Sequence, residues 1–342
     1  MDLSKYDITP EQEASMSQYF HRQLLTKTQP VTKNEVDLTG KTAIVTGSNI
    51  GLGLEASRQL LDLGLGRLIL AVRTISKGEA ARDDLLSGRT ETPEIEVWPL
   101  DLASYKSVTD FAERANGLDH VDIAILNAGI FKKDEEFSSE TGVEMDVQIN
   151  YLSTTLLSLL LLPVLKASPS HPAGRLVIVS SDMGGWFPLS AGPDEPILSV
   201  YKKKATTWNA PARYGESKLL GQLFVTELAR RIPASVVTVD AVNPGFSHGT
   251  GLQREGTGVL GFLFRGVSRA IGKPPYVCAR TIVHAAVKFG DEVHGEYVEE
   301  GKIRPKAPMI YKPGGPVAAQ KLWDETMAEL SFAQVQEAVA SS

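Results

Sequence analysis

Cysteine is almost missing from this chain of 342 residues, and the single one, Cys278, cannot close an internal disulfide. No Asn-x-Ser/Thr sequon occurs either, so the chain carries no mark of an oxidising or secretory compartment. Long apolar runs are lacking too. The longest, residues 156–165, is interrupted by Ser158 and Pro163 and falls well short of the roughly 20 residues that span a bilayer, so it reads as a buried helix. Basic residues are in deficit, with 35 Lys plus Arg against 41 Asp plus Glu and a net charge of −6, which argues against nucleic acid as the main partner. The six histidines are scattered without ligand spacing, and no metal is expected. The first thirteen residues are polar and acidic, unlike a secretion signal, and the expected location is cytoplasmic. What remains is an ordinary globular composition, 42% hydrophobic and 22% charged, with enough length for one large domain whose core needs no staples.

Short β-branched runs alternate with helical stretches along most of the chain. Strands are predicted at 42–46, 67–72, 95–99, 121–127, 175–180, 236–242 and 295–298. Helices are predicted at 51–62, 76–86, 104–115, 143–166, 212–231 and 276–289. The strands are nearly continuous in apolar residues, which implies burial on both faces. The predicted fold is therefore α/β: a single doubly wound Rossmann-type domain with a central seven-stranded parallel sheet and helices on both faces. Residues 1–36 form an appendage and linker ahead of this domain, which spans 37–342. In the appendage Thr9, Pro10 and Gln12 have the form of a capping box with proline at the first helical position. Met16, Phe20 and Leu24 follow at helical spacing, as on a helix packed against the body. Two connections, 182–213 and 246–275, exceed normal loop length and are expected to carry substrate contacts or a lid.

The first strand runs directly into Thr46-Gly47-Ser48-Asn49-Ile50-Gly51-Leu52-Gly53 and then an amphipathic helix. Glycines in a strand–turn–helix let the backbone approach a pyrophosphate, whose charge is met by amide N–H groups and the positive end of the helix. The spacing differs from the common G-x-G-x-x-G fingerprint. It resembles the TGxxxGxG turn of the short-chain dehydrogenase/reductase family. Further matches follow in the family's order: Asp101-Leu102, Asn127-Ala128-Gly129, Asn150, Ser180-Ser181, Tyr214-Gly215-Glu216-Ser217-Lys218 and Asn243-Pro244-Gly245. The resemblance covers roughly residues 37–298 and is nearest to retinol-dehydrogenase-like members and fungal biosynthetic reductases.

At the end of the second strand, where NAD-using folds commonly place a carboxylate for the adenosine ribose, the chain reads Ala71-Val72-Arg73. Arg73 offers a planar donor fork suited to a 2′-phosphate, so NADP is the expected cofactor. The resemblance implies that Gly47, Asn49, Ile50, Gly51, Leu52 and Gly53 hold the pyrophosphate. It further implies Asp101 and Leu102 at the adenine, Asn127, Ala128 and Gly129 on the path to the nicotinamide, and Pro244, Gly245 and Phe246 beyond it. The family's Pro-Gly-x-x-x-Thr stretch is altered here, since Thr250 is displaced by one position.

Tyr214 and Lys218, four residues apart on a predicted helix, project from one face. A phenol is a poor acid or base at neutral pH, and a neighbouring ammonium is expected to lower its pKa into a useful range. The expected catalytic set is Asn150, Ser181, Tyr214 and Lys218. Tyr214 is expected to serve as the general acid and base, and the resemblance implies that Lys218 also holds the nicotinamide ribose. Family pattern favours Ser181 over its neighbour Ser180 as the hydroxyl that bonds the substrate oxygen, and Asn150 is expected to reach Lys218 through a water.

The long connections contribute Trp186, Phe187, Tyr201, Trp208, Phe246, Leu260, Phe262 and Phe264, enough apolar surface for a hydrophobic small-molecule substrate, or simply anchors for the loops. The reading is an NADP-dependent ketoreductase or alcohol dehydrogenase of specialised metabolism. Two alternatives stay open: a non-catalytic NADP-binding scaffold or sensor, and an isomerase or dehydratase on the same fold. A weak peripheral membrane contact through 259–271 and a homodimer built on the 143–166 and 212–231 helices are the other partnerships left open.

Overall fold

The computed structural model describes residues 3–169, 174–192, 194–249, 269 and 271–340. Its strands are β1 Thr42–Thr46, β2 Arg67–Val72, β3 Glu94–Pro99, β4 Ile123–Leu126, β5 Gly174–Val179, β6 Val237–Asn243, β7 Tyr297–Glu299 and β8 Lys302–Arg304. They lie in the order β3-β2-β1-β4-β5-β6-β7-β8, and all neighbours from β3 to β7 are parallel. The expected seven-stranded parallel sheet is thus extended by an eighth strand that runs antiparallel to β7. Glu299 pairs with Lys302 across a two-residue turn, Glu300-Gly301, in which both residues have positive φ. That geometry matches strand twist, but it usually announces itself as Asn-Gly or Asp-Gly, and Glu-Gly is a poor signal for it.

Alternate residues of each strand go to opposite faces. On β1, Ile44 joins one hydrophobic cluster with Tyr105, Leu156, Leu219 and Leu223, while Ala43 and Val45 join the other with Leu60, Ile282 and Val283. The Gly51–Asp62 and Pro275–Val287 helices cover the second face, and Tyr105–Asn116, Thr154–Leu160 and Ala210–Arg231 cover the first. Strand order reverses between β1 and β4, so the carboxyl ends of these two strands open a crevice, the usual ligand site of such sheets.

The single helix expected over 143–166 is broken into Met145–Val147, a π-helical turn Gln148–Ser153, Thr154–Leu160 and Leu162–Lys166. Thr154 Oγ1 donates to the Ile149 carbonyl at 2.8 Å inside the widened turn, and Pro163 opens the last segment, where it has no N–H to lose. Two C-terminal helices, Gly314–Glu329 and Val335–Ala340, complete the first face. Trp323 stacks on Phe224 at 5.9 Å, and Thr326 hydrogen-bonds Tyr151 at 2.6 Å. Leu156, Leu157, Leu159, Leu161 and Leu162 are fully buried within the chain, so a homodimer would have to use another surface than this leucine run.

The N-terminal segment forms two helices, Pro10–Glu13 and Met16–Leu25, and the first begins with the expected reciprocal cap between Thr9 and Gln12. The second lies with the opposite face inward from that predicted. Met16, Phe20 and Leu24 are 51%, 44% and 55% exposed, whereas Arg22 and Gln23 are buried. Carboxylates of Glu13 on the preceding helix and of Asp182 and Glu299 on the body select the arginine, a preference that apolar spacing cannot reveal.

Candidate active site

The turn after β1 is built for close approach. Gly47 has a φ of +65°, and a Cβ there would meet the Ala128 Cα at 3.1 Å. A Cβ on Gly53 would lie 2.6 Å from both the Gly47 carbonyl and Asn127 Nδ2. Asn127 donates to the Thr46 carbonyl at 3.0 Å, and Ala128 N donates to Thr46 Oγ1 at 2.9 Å, locking the ends of β1 and β4 together. The Gly51–Asp62 helix opens on Ile50 without a side-chain cap, which leaves its first amides for an anion. Ser48 Oγ is buried beside them with no hydrogen-bond partner. The residues present therefore fit a dinucleotide: a glycine cradle, uncapped amides and a spare buried hydroxyl. Asn49, Ile50 and Leu52 line this turn, Asp101 receives Ala103 N at 3.0 Å, Leu102 is buried beneath, and Arg73 projects exposed from the end of β2.

Opposite the cradle, the Ala210–Arg231 helix is capped by Asn209, which accepts Ala212 N at 3.1 Å. Its first turns bury Tyr214 and Lys218 on the face toward β5. Lys218 Nζ donates to the Val179 carbonyl at 3.0 Å and lies 5.6 Å from the Tyr214 ring centroid. The position of a Gly129 Cβ would be 3.4 Å from Lys218 Nζ and 3.0 Å from Asn150 Oδ1, so only glycine leaves that space open. The two serines after β5 differ in surroundings: Ser180 Oγ accepts from Gln222 Nε2 at 3.2 Å, whereas Ser181 Oγ donates to Asp182 Oδ1 at 3.2 Å and lies close enough to Tyr214 to lower its phenol pKa. Asn150 is drawn in from the π-helical turn, but its amide is already occupied. Its Oδ1 accepts Ile130 N at 2.8 Å, and its Nδ2 donates to the Ile130 carbonyl at 2.9 Å and to Ser217 Oγ at 3.0 Å. The side chain thus fastens the segment after β4 to the Ala210–Arg231 helix.

Electrostatics here also depart from the expectation of a lowered tyrosine pKa. Burial pushes the Tyr214 phenol up, with Asp146 and Asp182 adding to the rise and the Ser181 hydrogen bond opposing it. Burial also pulls Lys218 down to about 8, against the attraction of Asp146. The phenol consequently holds its proton at neutral pH, and the ammonium sits close to titration.

A model of the short chain dehydrogenase family matches residues 41–191. Over 342 residues, 98% of this chain and 98% of the relative, the sequence is 50% identical to the short-chain dehydrogenase fogG of Aspergillus ruber (strain CBS 135680). The chain belongs to the short-chain dehydrogenase family. It is also 40% identical over 327 residues to the short chain dehydrogenase/reductase mfmJ of Annulohypoxylon moriforme, covering 95% of this chain and 94% of that one. Among solved structures, an uncharacterised protein from Mycobacterium paratuberculosis superposes with a TM-score of 0.64 at 25% identity, covering 89% of this chain and 98% of the other. The family is one of oxidoreductases that bind nicotinamide cofactors.

In this short-chain dehydrogenase the aromatic residues of the long loops divide by role. Phe187 packs where a Gly215 Cβ would come within 2.6 Å of its ring, beside the Ala210–Arg231 helix. Tyr201 is fully buried and donates to Glu216 at 2.9 Å under the Arg213 guanidinium, which makes it a loop anchor. Trp208 donates to the Lys133 carbonyl at 2.7 Å, and Trp186 meets Tyr19 of the N-terminal helix edge-on at 5.3 Å. The residue that sequence reasoning passed over is Phe131, whose ring lies 5.6 Å from that of Tyr214. Its only signal was its place two residues after Asn127-Ala128-Gly129. Pro244 is buried. Gly245 N donates to Asn243 Oδ1 at 3.1 Å, and Gln23 of the N-terminal helix clasps Phe246, accepting from its N–H at 3.1 Å and donating to its carbonyl at 2.8 Å. Thr250, Leu260, Phe262, Phe264 and most of 259–271 lie outside the described residues. Among the described residues no helix is long and apolar enough to cross a membrane, and no cluster of metal-ligating side chains occurs.

Proposed function

We propose that this short-chain dehydrogenase transfers hydride between NADPH and the carbonyl or alcohol carbon of a hydrophobic small molecule, with Tyr214 as general acid and base. The observation that carries this reading is that Lys218, whose Nζ borders the space Gly129 leaves open, lies 5.6 Å from the Tyr214 ring, with Ser181 close enough to lower the phenol pKa. The bound cofactor would supply or accept the hydride. Tyr214, kept protonated by burial, donates its proton to the oxygen of a reduced carbonyl, and in the reverse direction it removes the alcohol proton. Ser181 donates a hydrogen bond to the same oxygen as negative charge develops on it. Lys218, anchored on the Val179 carbonyl, keeps an ammonium beside the phenol and would hold the ribose of a bound cofactor. Asn150 holds the backbone after β4 in register with Ser217.

NADPH is preferred over NADH because the end of β2 carries the exposed guanidinium of Arg73 and no carboxylate. Phe131 and Phe187 give the reacting carbonyl apolar neighbours, which favours bulky ketones over small sugars. The relatives named above are fungal dehydrogenases and reductases, in keeping with a ketoreductase of specialised metabolism. The test is NADPH oxidation against a panel of hydrophobic ketones, aldehydes and quinones. Turnover that NADH supports poorly, and an Arg73→Ala enzyme whose preference for NADPH falls by roughly tenfold or more, are expected. Equal use of both cofactors by the unaltered enzyme would remove the NADPH assignment.

A further inference from the structure

The N-terminal helix sends a buried cation under the active-site serine. Arg22 is 3% exposed and forms ion pairs with three carboxylates: Glu13 at 2.8 Å, Glu299 at 2.9 Å and Asp182 at 3.5 Å. Asp182 directly follows Ser181, and its Oδ1 accepts the Ser181 hydroxyl at 3.2 Å. Ser181 also lies close enough to Tyr214 to lower the pKa of its phenol. A line of polar contacts thus runs from residue 22 through Asp182 to the Ser181 hydroxyl. Glu299 is also tied to the end of β6, accepting Asn243 Nδ2 at 2.6 Å, so the arginine is fixed from both sides.

This arrangement matters because a serine hydroxyl has one hydrogen to give. Here that hydrogen is directed at Asp182, and it is needed on the substrate oxygen. An unneutralised carboxylate at 3.2 Å would hold it firmly, since hydrogen bonds to a charged acceptor are roughly twice as strong as neutral ones. The guanidinium draws the charge of Asp182 toward its other oxygen, Oδ2, and weakens that hold.

We propose that Arg22 is a positioning residue of this dehydrogenase: it neutralises Asp182 so that the Ser181 hydroxyl can turn to the substrate. The N-terminal helix is then part of the catalytic apparatus, although no residue of it touches the reacting atoms. The inference rests on the reductase reading above.

A charge-restoring double variant separates this role from mere support of the fold. With phenanthrenequinone as the first probe and NADPH as reductant, Arg22→Gln should lower kcat by roughly tenfold. NADPH affinity, read by fluorescence titration, should stay within about twofold, because the cradle is untouched. Adding Asp182→Asn to Arg22→Gln should return kcat to within about threefold of the unaltered enzyme, since the competing charge is gone. Should Arg22→Gln not fold, Arg22→Lys serves in its place. A single ammonium retains the nearer Glu13 and Glu299 and releases Asp182, the most distant of the three, so the same loss and the same rescue are expected. An unchanged kcat, or a loss that Asp182→Asn does not reverse, overturns the inference while leaving the reductase reading intact. Absence of any turnover by the unaltered enzyme across the carbonyl panel overturns the reading itself.

Discussion

At the scale of single residues, burial and charge pull Lys218 in opposite directions, and burial wins, bringing its pKa down to about 8. A depressed pKa on a base means that the charged form is present below that value and lost above it. Carbonyl reduction that depends on the ammonium should therefore be flat with pH below about 8 and decline above it, and Lys218→Arg, charged throughout, should abolish the descending limb. A pH profile of kcat under saturating NADPH checks this, and a limb retained in the arginine variant assigns it to another group. The linkage to stability has the opposite sense. Between about 8 and the ordinary lysine pKa near 10.4 the unfolded chain binds more protons than the native one, so this group's contribution to stability rises with pH across that window. The nearness of Tyr214 and Lys218 was legible in the sequence, because four residues of helix bring them to one face, whereas their assignment to a site rested on the resemblance. The state of Tyr214 was not, since the rise in its pKa comes from burial and from Asp146 and Asp182, which are distant along the chain. Nor could local pattern decide fully between Ser180 and Ser181. What separates them is Gln222, which sits over Ser180 from the Ala210–Arg231 helix.

Among the elements, the parallel strands were readable because each is a buried β-branched run between turn signals. The three-residue β8, the π-helical turn and the two C-terminal helices were not. β8 is too short to show a period, and an extra residue in one helical turn leaves apolar spacing nearly unchanged. The turn after β1 carries the sharpest prediction at this scale. Replacing Gly53 by alanine places a methyl group 2.6 Å from the Gly47 carbonyl, a backbone atom that cannot swing aside. NADPH affinity should fall by roughly tenfold or more, as expected for losing about 1.4 kcal/mol from the cradle, while the sheet behind it stays folded. Fluorescence titration with circular dichroism measures both. Unchanged affinity would mean that the close approach of Gly53 to Gly47 does not shape the cofactor site.

The molecule as a whole is closed at both ends by segments outside the β-α array. The C-terminal helices bury the leucine run of Thr154–Leu160 and the Trp323–Phe224 stack. The N-terminal helix fastens the end of β5 through Arg22 and the loop after β6 through Gln23. The sequence reading placed that helix on the body by Met16, Phe20 and Leu24, which face outward, because apolar periodicity says nothing about buried charges. Deleting residues 1–36 leaves Asp182 and Glu299 buried without their cation, which should cost on the order of 3–5 kcal/mol and lower the thermal midpoint by several degrees. Thermal unfolding followed by circular dichroism tests this, and an unshifted midpoint would show that the helix is merely attached.

The central claim is that Tyr214 carries the proton in a hydride transfer, and the most direct measurement sets NADPH binding beside NADPH oxidation for the unaltered enzyme and Tyr214→Phe. Removing one hydroxyl from a buried ring should leave NADPH affinity within about twofold while lowering kcat by roughly 10²–10⁴, the span that general acid–base catalysis supplies. A phenylalanine enzyme that binds NADPH and still reduces the carbonyl at the original rate would contradict the account.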